Sequence, residues 1–172
     1  MNYTYIEKES VANGIGFRTV LWVSGCTLCC EECHNKEMWD FNYGKLFDDA
    51  AREEIYNSVE KDYVDGITIS GGHPLEIENI FEVWSFIIEF KERYPNKTIW
   101  LYTGLHLSLE DIINEKLYIL PLLLKNIDVV VDGKYEHSLR DISLPYRGSS
   151  NQRVIDIQKT IKNGEIVLWN TN

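Results

Sequence analysis

Residues 17–35 read FRTVLWVSGCTLCCEECHN. Phe17 to Val23 is a short apolar run rich in β-formers, the composition of a buried strand. A loop follows at once, and it carries Cys26, Cys29, Cys30 and Cys33. These are the only cysteines in the chain of 172 residues. A disulfide framework spreads its thiols to staple distant segments. Four thiols in one short loop read instead as metal or redox chemistry.

Beyond the loop the chain alternates. Asp48 to Glu60 predicts an amphipathic helix, with Asp48 and Asp49 at the start, where carboxylates suit the helix dipole. Val64 to Ser70 predicts a second strand, ending in Gly71-Gly72-His73-Pro74. Glu78 to Tyr94 predicts a long helix whose apolar face includes Ile80, Phe81, Trp84, Ile87, Ile88 and Phe90. Pro95 ends it. Thr98 to Tyr102 is a third strand. A helix starts near Leu109 and is broken or restarted at Pro121. Ile127 to Val131 is a fourth strand, followed by Asp132-Gly133-Lys134. Strands alternating with helices indicate βαβ units and a largely parallel sheet. Ligands in such α/β folds bind at the carboxyl ends of the strands. The cysteine loop, Gly-Gly-His-Pro, Thr103-Gly104 and Asp132-Gly133-Lys134 all fall there. The tail is expected to form a β-hairpin, with Arg153–Ile161 and Glu165–Trp169 flanking an Asn163-Gly164 turn. Trp84 and Trp100 are expected in the core.

Length and composition suit one domain spanning residues 1–172. The formal charge is −10, which lacks the basic footprint of a nucleic-acid binder. No apolar run approaches the ~20 residues that span a bilayer. The first residues lack the basic and apolar regions of a secretory signal, so no membrane association is expected and the cytoplasm is the default location.

The cysteine loop permits two metal spacings. Cys26/Cys29 and Cys30/Cys33 make two abutting C-x2-C pairs, a zinc-like set. Zinc ribbons separate their pairs with a long spacer, and here the spacer is absent. Cys26, Cys30 and Cys33 make C-x3-C-x2-C, with Cys29 left over. Three thiolates on a four-iron cubane leave one iron open. A ferredoxin-type electron carrier would supply four cysteines per cluster.

C-x3-C-x2-C directly after a first strand resembles the radical S-adenosylmethionine (SAM) superfamily. Further segments narrow the likeness: Asn13-Gly14-x-Gly16, Val23-Ser24-Gly25-Cys26, Cys33-His34-Asn35, Trp39, Ser70-Gly71-Gly72-x-Pro74-Leu75, Thr103-Gly104, Val131-Asp132-Gly133-Lys134 and Arg147-Gly148-Ser149-Ser150-Asn151-Gln152. Together they resemble the activating proteins of anaerobic (class III) ribonucleoside-triphosphate reductase. The likeness covers residues 2–156 and leaves 157–172 as an extension without a task.

The resemblance implies a partial, open β/α barrel of radical SAM type and an oxidoreductase that activates a glycyl-radical enzyme. It implies a [4Fe–4S] cluster on Cys26, Cys30 and Cys33, with the open iron binding SAM. Reductive cleavage would yield methionine and a 5′-deoxyadenosyl radical. That radical would take a hydrogen from a glycine near the C-terminus of the large reductase subunit. Reduced flavodoxin or a similar donor would supply the electron. No protein residue is implied as catalytic beyond the cluster and SAM.

The SAM contacts implied are Glu32, Cys33, His34, Gly71, Gly72, His73, Asp132 and Lys134. At Gly71 and Gly72 a side chain would block approach to the methionine amino group. Two positions depart from the family pattern. His73 stands where an acidic residue is usual, with Glu76 nearby as a substitute, and Glu32 stands where glycine is common. Pyruvate formate-lyase-type activases, 7-carboxy-7-deazaguanine synthase-like enzymes and non-enzymatic metal or electron-transfer modules are the alternatives.

Overall fold

A computed structural model describes residues 1–114 and 119–170. Its strands are β1 (Asn2–Ser10), β2 (Phe17–Val23), β3 (Lys45–Leu46), β4 (Val64–Gly71), β5 (Thr98–Tyr102), β6 (Val129–Asp132) and β7 (Arg153–Asp156). They form one mixed sheet in the order β3-β1-β2-β4-β5-β6-β7. The central strands β2, β4, β5 and β6 run parallel. β1 and β3 on one side and β7 on the other are antiparallel. The sheet does not close: β3 and β7 are its edges.

The helices are α1 (Asp49–Val59), α2 (Ile80–Arg93), α3 (Leu109–Ile113), α4 (Ile119–Leu124) and α5 (Ile157–Asn163). Asp48 caps α1, its carboxylate accepting from the Ala51 amide at 3.0 Å. A capping box of Ser108 and Asp111 starts α3. Pro121 sits in the first turn of α4, where a missing N–H is tolerated. The start of that predicted helical stretch, residues 115–118, lies outside the described residues.

Strand alternation divides the sheet into two faces. Leu21, Val23, Ile67, Ile69, Ile99, Leu101, Val130 and Ile155 join Ile55, Val83, Phe86, Ile87 and Phe90 in the main core. Trp100, Val129, Val131 and Val154 form a smaller cluster on the other face, packed by Tyr102, Tyr146 and Trp169. Arg18 belongs to that second face, fully buried. It donates to Thr68 Oγ1 at 2.7 Å and Thr98 Oγ1 at 2.9 Å, and its guanidinium lies 5.5 Å from the Trp100 ring centre. Burial pushes the Arg18 pKa down to about 10, so it stays charged at neutral pH. Trp100 is buried as expected, while Trp84 packs partly buried against the main core.

The expected C-terminal hairpin is corrected. Only Arg153–Asp156 of its first arm is strand, and the chain then enters α5. Asp156 caps that helix by accepting from the Lys159 amide at 2.9 Å, and Ile157 and Thr160 face inward. Gly164, read as a hairpin turn, is instead the left-handed C-cap of α5, at φ 69°. The tail still returns antiparallel to β7 through a bridge between Ile155 and Leu168. β1 was not anticipated. Register shifts between Tyr3 and Tyr5 and between Glu7 and Ser10 break its two-residue period.

Candidate functional site

The carboxyl ends of β2, β4, β5 and β6 surround a cavity of about 440 Å³. Cys26, Cys30 and Cys33 line it, and Cys29 does not. Cys29 is exposed, at φ 46°. The structure thus separates the C-x3-C-x2-C set from the fourth thiol. Among the described residues no three His, Cys, Asp or Glu side chains gather tightly enough to hold one metal ion.

Backbone amides act on the three cavity sulfurs, and at Cys33 one forms a hydrogen bond. The Asn35 amide donates to Cys33 Sγ at 3.4 Å. The Leu28 amide acts on Cys26 and the Tyr135 amide on Cys30. Burial pushes the Cys26 thiol up to about 11. Burial also raises Cys30, opposed by the nearby Lys134 ammonium. Cys26 and Cys30, costly to ionise alone by burial, suit thiolate ligands whose charge a bound iron–sulfur cluster compensates. The donor set therefore fits a cluster held by three cysteines.

Glycines shape the wall beside these sulfurs. Gly71, at φ 106°, ends β4 and lines the cavity. A Cβ on Gly72 would stand 2.6 Å from Gly25 O and 2.9 Å from Met38 O. The same contacts fasten the loop: the Gly25 amide donates to Met38 O and the His73 amide to Gly25 O, both at 2.8 Å. Asn79, almost fully buried, donates through its side chain to Ser24 O and His73 O.

Cys33, His34, Gly71 and Gly72 line the cavity. Glu32 is exposed at φ 51° and Lys134 is exposed, and neither lines it. Asp132 is fully buried and lies outside the lining. Its carboxylate accepts from the Leu107 amide at 2.9 Å and pairs with Arg153. The His73 ring is likewise buried outside the lining, between Glu76 and Thr103.

Sequence reasoning left Tyr102, Tyr135, Tyr146 and Arg147 without a site role, yet all four line the cavity. Arg147 is the one Lys or Arg among its described lining residues, and no Asp or Glu lines it. The signal was present in the Arg147–Gln152 motif but carried no chemistry by itself. Gln152 Nε2 donates to Gly133 O and Asn151 Nδ2 to Lys134 O, so this motif clasps the loop after β6.

A family model described as a 4Fe-4S single cluster domain matches residues 12–155. Curated relatives extend the match. A protein of Enterobacteria phage T4 is 40% identical over 154 residues, covering 90% of this chain and 93% of the relative. One from Haemophilus influenzae is 38% identical over 154 residues, covering 88% and 96%. One from Escherichia coli K12 is 36% identical over 156 residues, covering 90% and 97%. Each is named anaerobic ribonucleoside-triphosphate reductase-activating protein.

This chain belongs to that family of reductase-activating proteins.

The backbone at Glu32 is left-handed, the conformation that glycine adopts without steric cost. Glu32 accepts that strain while its side chain stays in solvent. Among the described residues no helix is long and apolar enough to cross a membrane.

Proposed function

We propose that this chain generates a glycyl radical on the large subunit of anaerobic ribonucleoside-triphosphate reductase, using SAM at a [4Fe–4S] cluster held by Cys26, Cys30 and Cys33. The observation that carries this reading is the selective placement of those three sulfurs in a glycine-walled cavity, with Cys29 left outside. The names of the relatives supply the partner. Held by Cys26, Cys30 and Cys33, a reduced cluster would supply the electron for reductive cleavage of SAM, the chemistry that would lead to hydrogen abstraction from a glycine of the partner.

The chain's own residues bind and orient. Cys26, Cys30 and Cys33 would hold the cluster, and three protein ligands would leave it able to take SAM. Gly71 and Gly72 let the end of β4 press against β2 and the cysteine loop, where a Cβ would meet Val23 O and Gly25 O, and so hold the wall on which the methionyl end would rest. His34 lines the cavity beside Cys33 and can stack on or bond to the adenine. The exposed Lys134 ammonium, near Cys30, favours the SAM carboxylate. We read the open sheet, its helices packed against one face, as a partial β/α barrel whose helix-free side admits a peptide segment. Reduced flavodoxin or a similar carrier is the electron source in this reading, and the cytoplasm is the setting.

Anaerobically reconstituted protein, reduced and mixed with SAM and the large reductase subunit, is expected to give a doublet glycyl EPR signal together with 5′-deoxyadenosine. A protein that forms 5′-deoxyadenosine only with a small molecule, and never a signal on the reductase, would overturn the assignment.

A further inference from the structure

Both ring nitrogens of His73 are engaged. Nδ1 lies 3.2 Å from Glu76 Oε1 and Nε2 lies 2.8 Å from Thr103 Oγ1. A carboxylate can only accept, so Nδ1 carries a proton. Thr103 Oγ1 accepts from the Leu105 amide at 3.1 Å and keeps its hydroxyl proton to offer Nε2. The network accommodates a neutral imidazole protonated at Nδ1. The Glu76 oxygen that meets His73 also accepts from the Thr27 amide at 2.7 Å and the Thr27 hydroxyl at 2.8 Å. Thr27 directly follows Cys26. An unbroken chain of side chains therefore joins the end of β5 to the start of the cysteine loop.

We propose that His73 and Glu76 are positioning residues that clamp the cysteine loop to the ends of β4 and β5, and that His73 makes no contact with SAM. For what the loop holds, the inference rests on the function proposed above. The nearest carboxylate, Glu76, is turned to the loop rather than to the cavity. The ring is buried, lies outside the cavity lining and has no free nitrogen to offer a ligand.

The test exchanges the two groups. His73→Glu places two carboxylates side by side, Glu76→His places two imidazoles, and the double variant restores one of each with their positions swapped. Three readouts on the full chain are compared: iron loss from reconstituted protein to a chelator, SAM affinity by equilibrium dialysis, and alkylation of Cys26 by iodoacetamide in iron-free protein. Each single variant is expected to lose iron and alkylate about tenfold faster, the effect of losing one hydrogen bond to a charged group. The double variant is expected to return to within about twofold of the parent. SAM affinity should follow iron retention rather than the residue at position 73. The clamp is overturned if His73→Glu alone tightens SAM binding with iron loss and alkylation unchanged, or if the double variant behaves as the sum of the singles. The alkylation arm needs neither cluster nor reductase, so it decides the clamp separately from the proposed activity.

Discussion

Arg153 closes on Asp132 across the last two strands of the sheet, where the two residues are direct antiparallel partners. The Asp132 carboxylate is fully buried, and Arg153 Nη2 also donates to Leu107 O at 2.7 Å. Val131 lies in the cluster on the cavity-facing side, and Asp132, next along the strand, turns the other way. This pair fastens β7 and the loop before α3 to the parallel block. Arg153→Ala would leave the charge buried and unpaired, at a cost of about 3–5 kcal/mol. Urea unfolding of the iron-free chain measures it. Asp132→Asn, which keeps an acceptor for the Leu107 amide, should cost clearly less.

The cavity sorts the cysteines by position, with Cys29 outside its lining. Alanine at Cys26, Cys30 or Cys33 should abolish iron uptake on reconstitution, whereas Cys29→Ala should retain the iron content and brown colour of the parent. Iron and sulfide analysis after anaerobic desalting checks this. Equal losses in Cys29→Ala and Cys30→Ala would contradict the division.

Gly72 and Gly104 differ in what surrounds them. A Cβ on Gly72 meets two backbone carbonyls, which cannot yield without moving the cysteine loop. One on Gly104 meets the end of the Leu28 side chain at 2.2 Å, and that can rotate. Gly72→Ala should therefore cost about 2 kcal/mol or more and impair iron retention, as overpacked sites do. Gly104→Ala should fold with a smaller loss. Thermal melts and chelator kinetics separate the two.

Acid should weaken the fold through His73. Burial holds its pKa below the ordinary value of 6.5, even against the opposing pull of Glu76. As pH falls through about 6.5 the unfolded chain takes up a proton that the folded chain refuses, so unfolding becomes easier. The loss continues until the folded His73 itself titrates. Glu76 adds to the same trend further down. Burial works to raise its pKa, but the Thr27 bonds and His73 outweigh that and hold it below the usual carboxylate range. Unfolding midpoints of iron-free protein between pH 7.5 and about 5 should fall, and His73→Gln should flatten that slope.

Much of the fold was legible because the parallel strands are buried on both faces. Phe17–Val23, Val64–Gly71 and Thr98–Tyr102 read as short apolar runs and emerge within a residue of their expected limits. Edge elements were harder to read. β1 carries Glu7, Lys8 and Glu9 where alternation would mark a strand, and its bulges absorb the register. The tail alternates well enough to suggest a strand through Ile161, yet the Asp156 cap and the turn at Gly164 select a helix.

At the site, residue types were visible but directions were not. The cysteine spacing was read from one loop, whereas the turning away of Asp132 depends on strand parity at the end of β6. The burial of the His73 ring depends on Thr103, 30 residues distant. The amides of Leu28, Asn35 and Tyr135 belong to the backbone and leave no trace in side-chain identity.

The strand order has a consequence for how the protein is made. Cys26, Cys30 and Cys33 leave the ribosome early, directly after β2. Their seat is built later, from residues 71–76, then 103–104, then 133–135. Until β6 has joined the sheet, the three thiols are exposed on a growing chain with no wall around them. During that interval they are open to oxygen and to metals other than iron. Cluster loading therefore belongs to the finished chain, and expression under air should yield protein whose polypeptide is sound but whose thiols have already been spent.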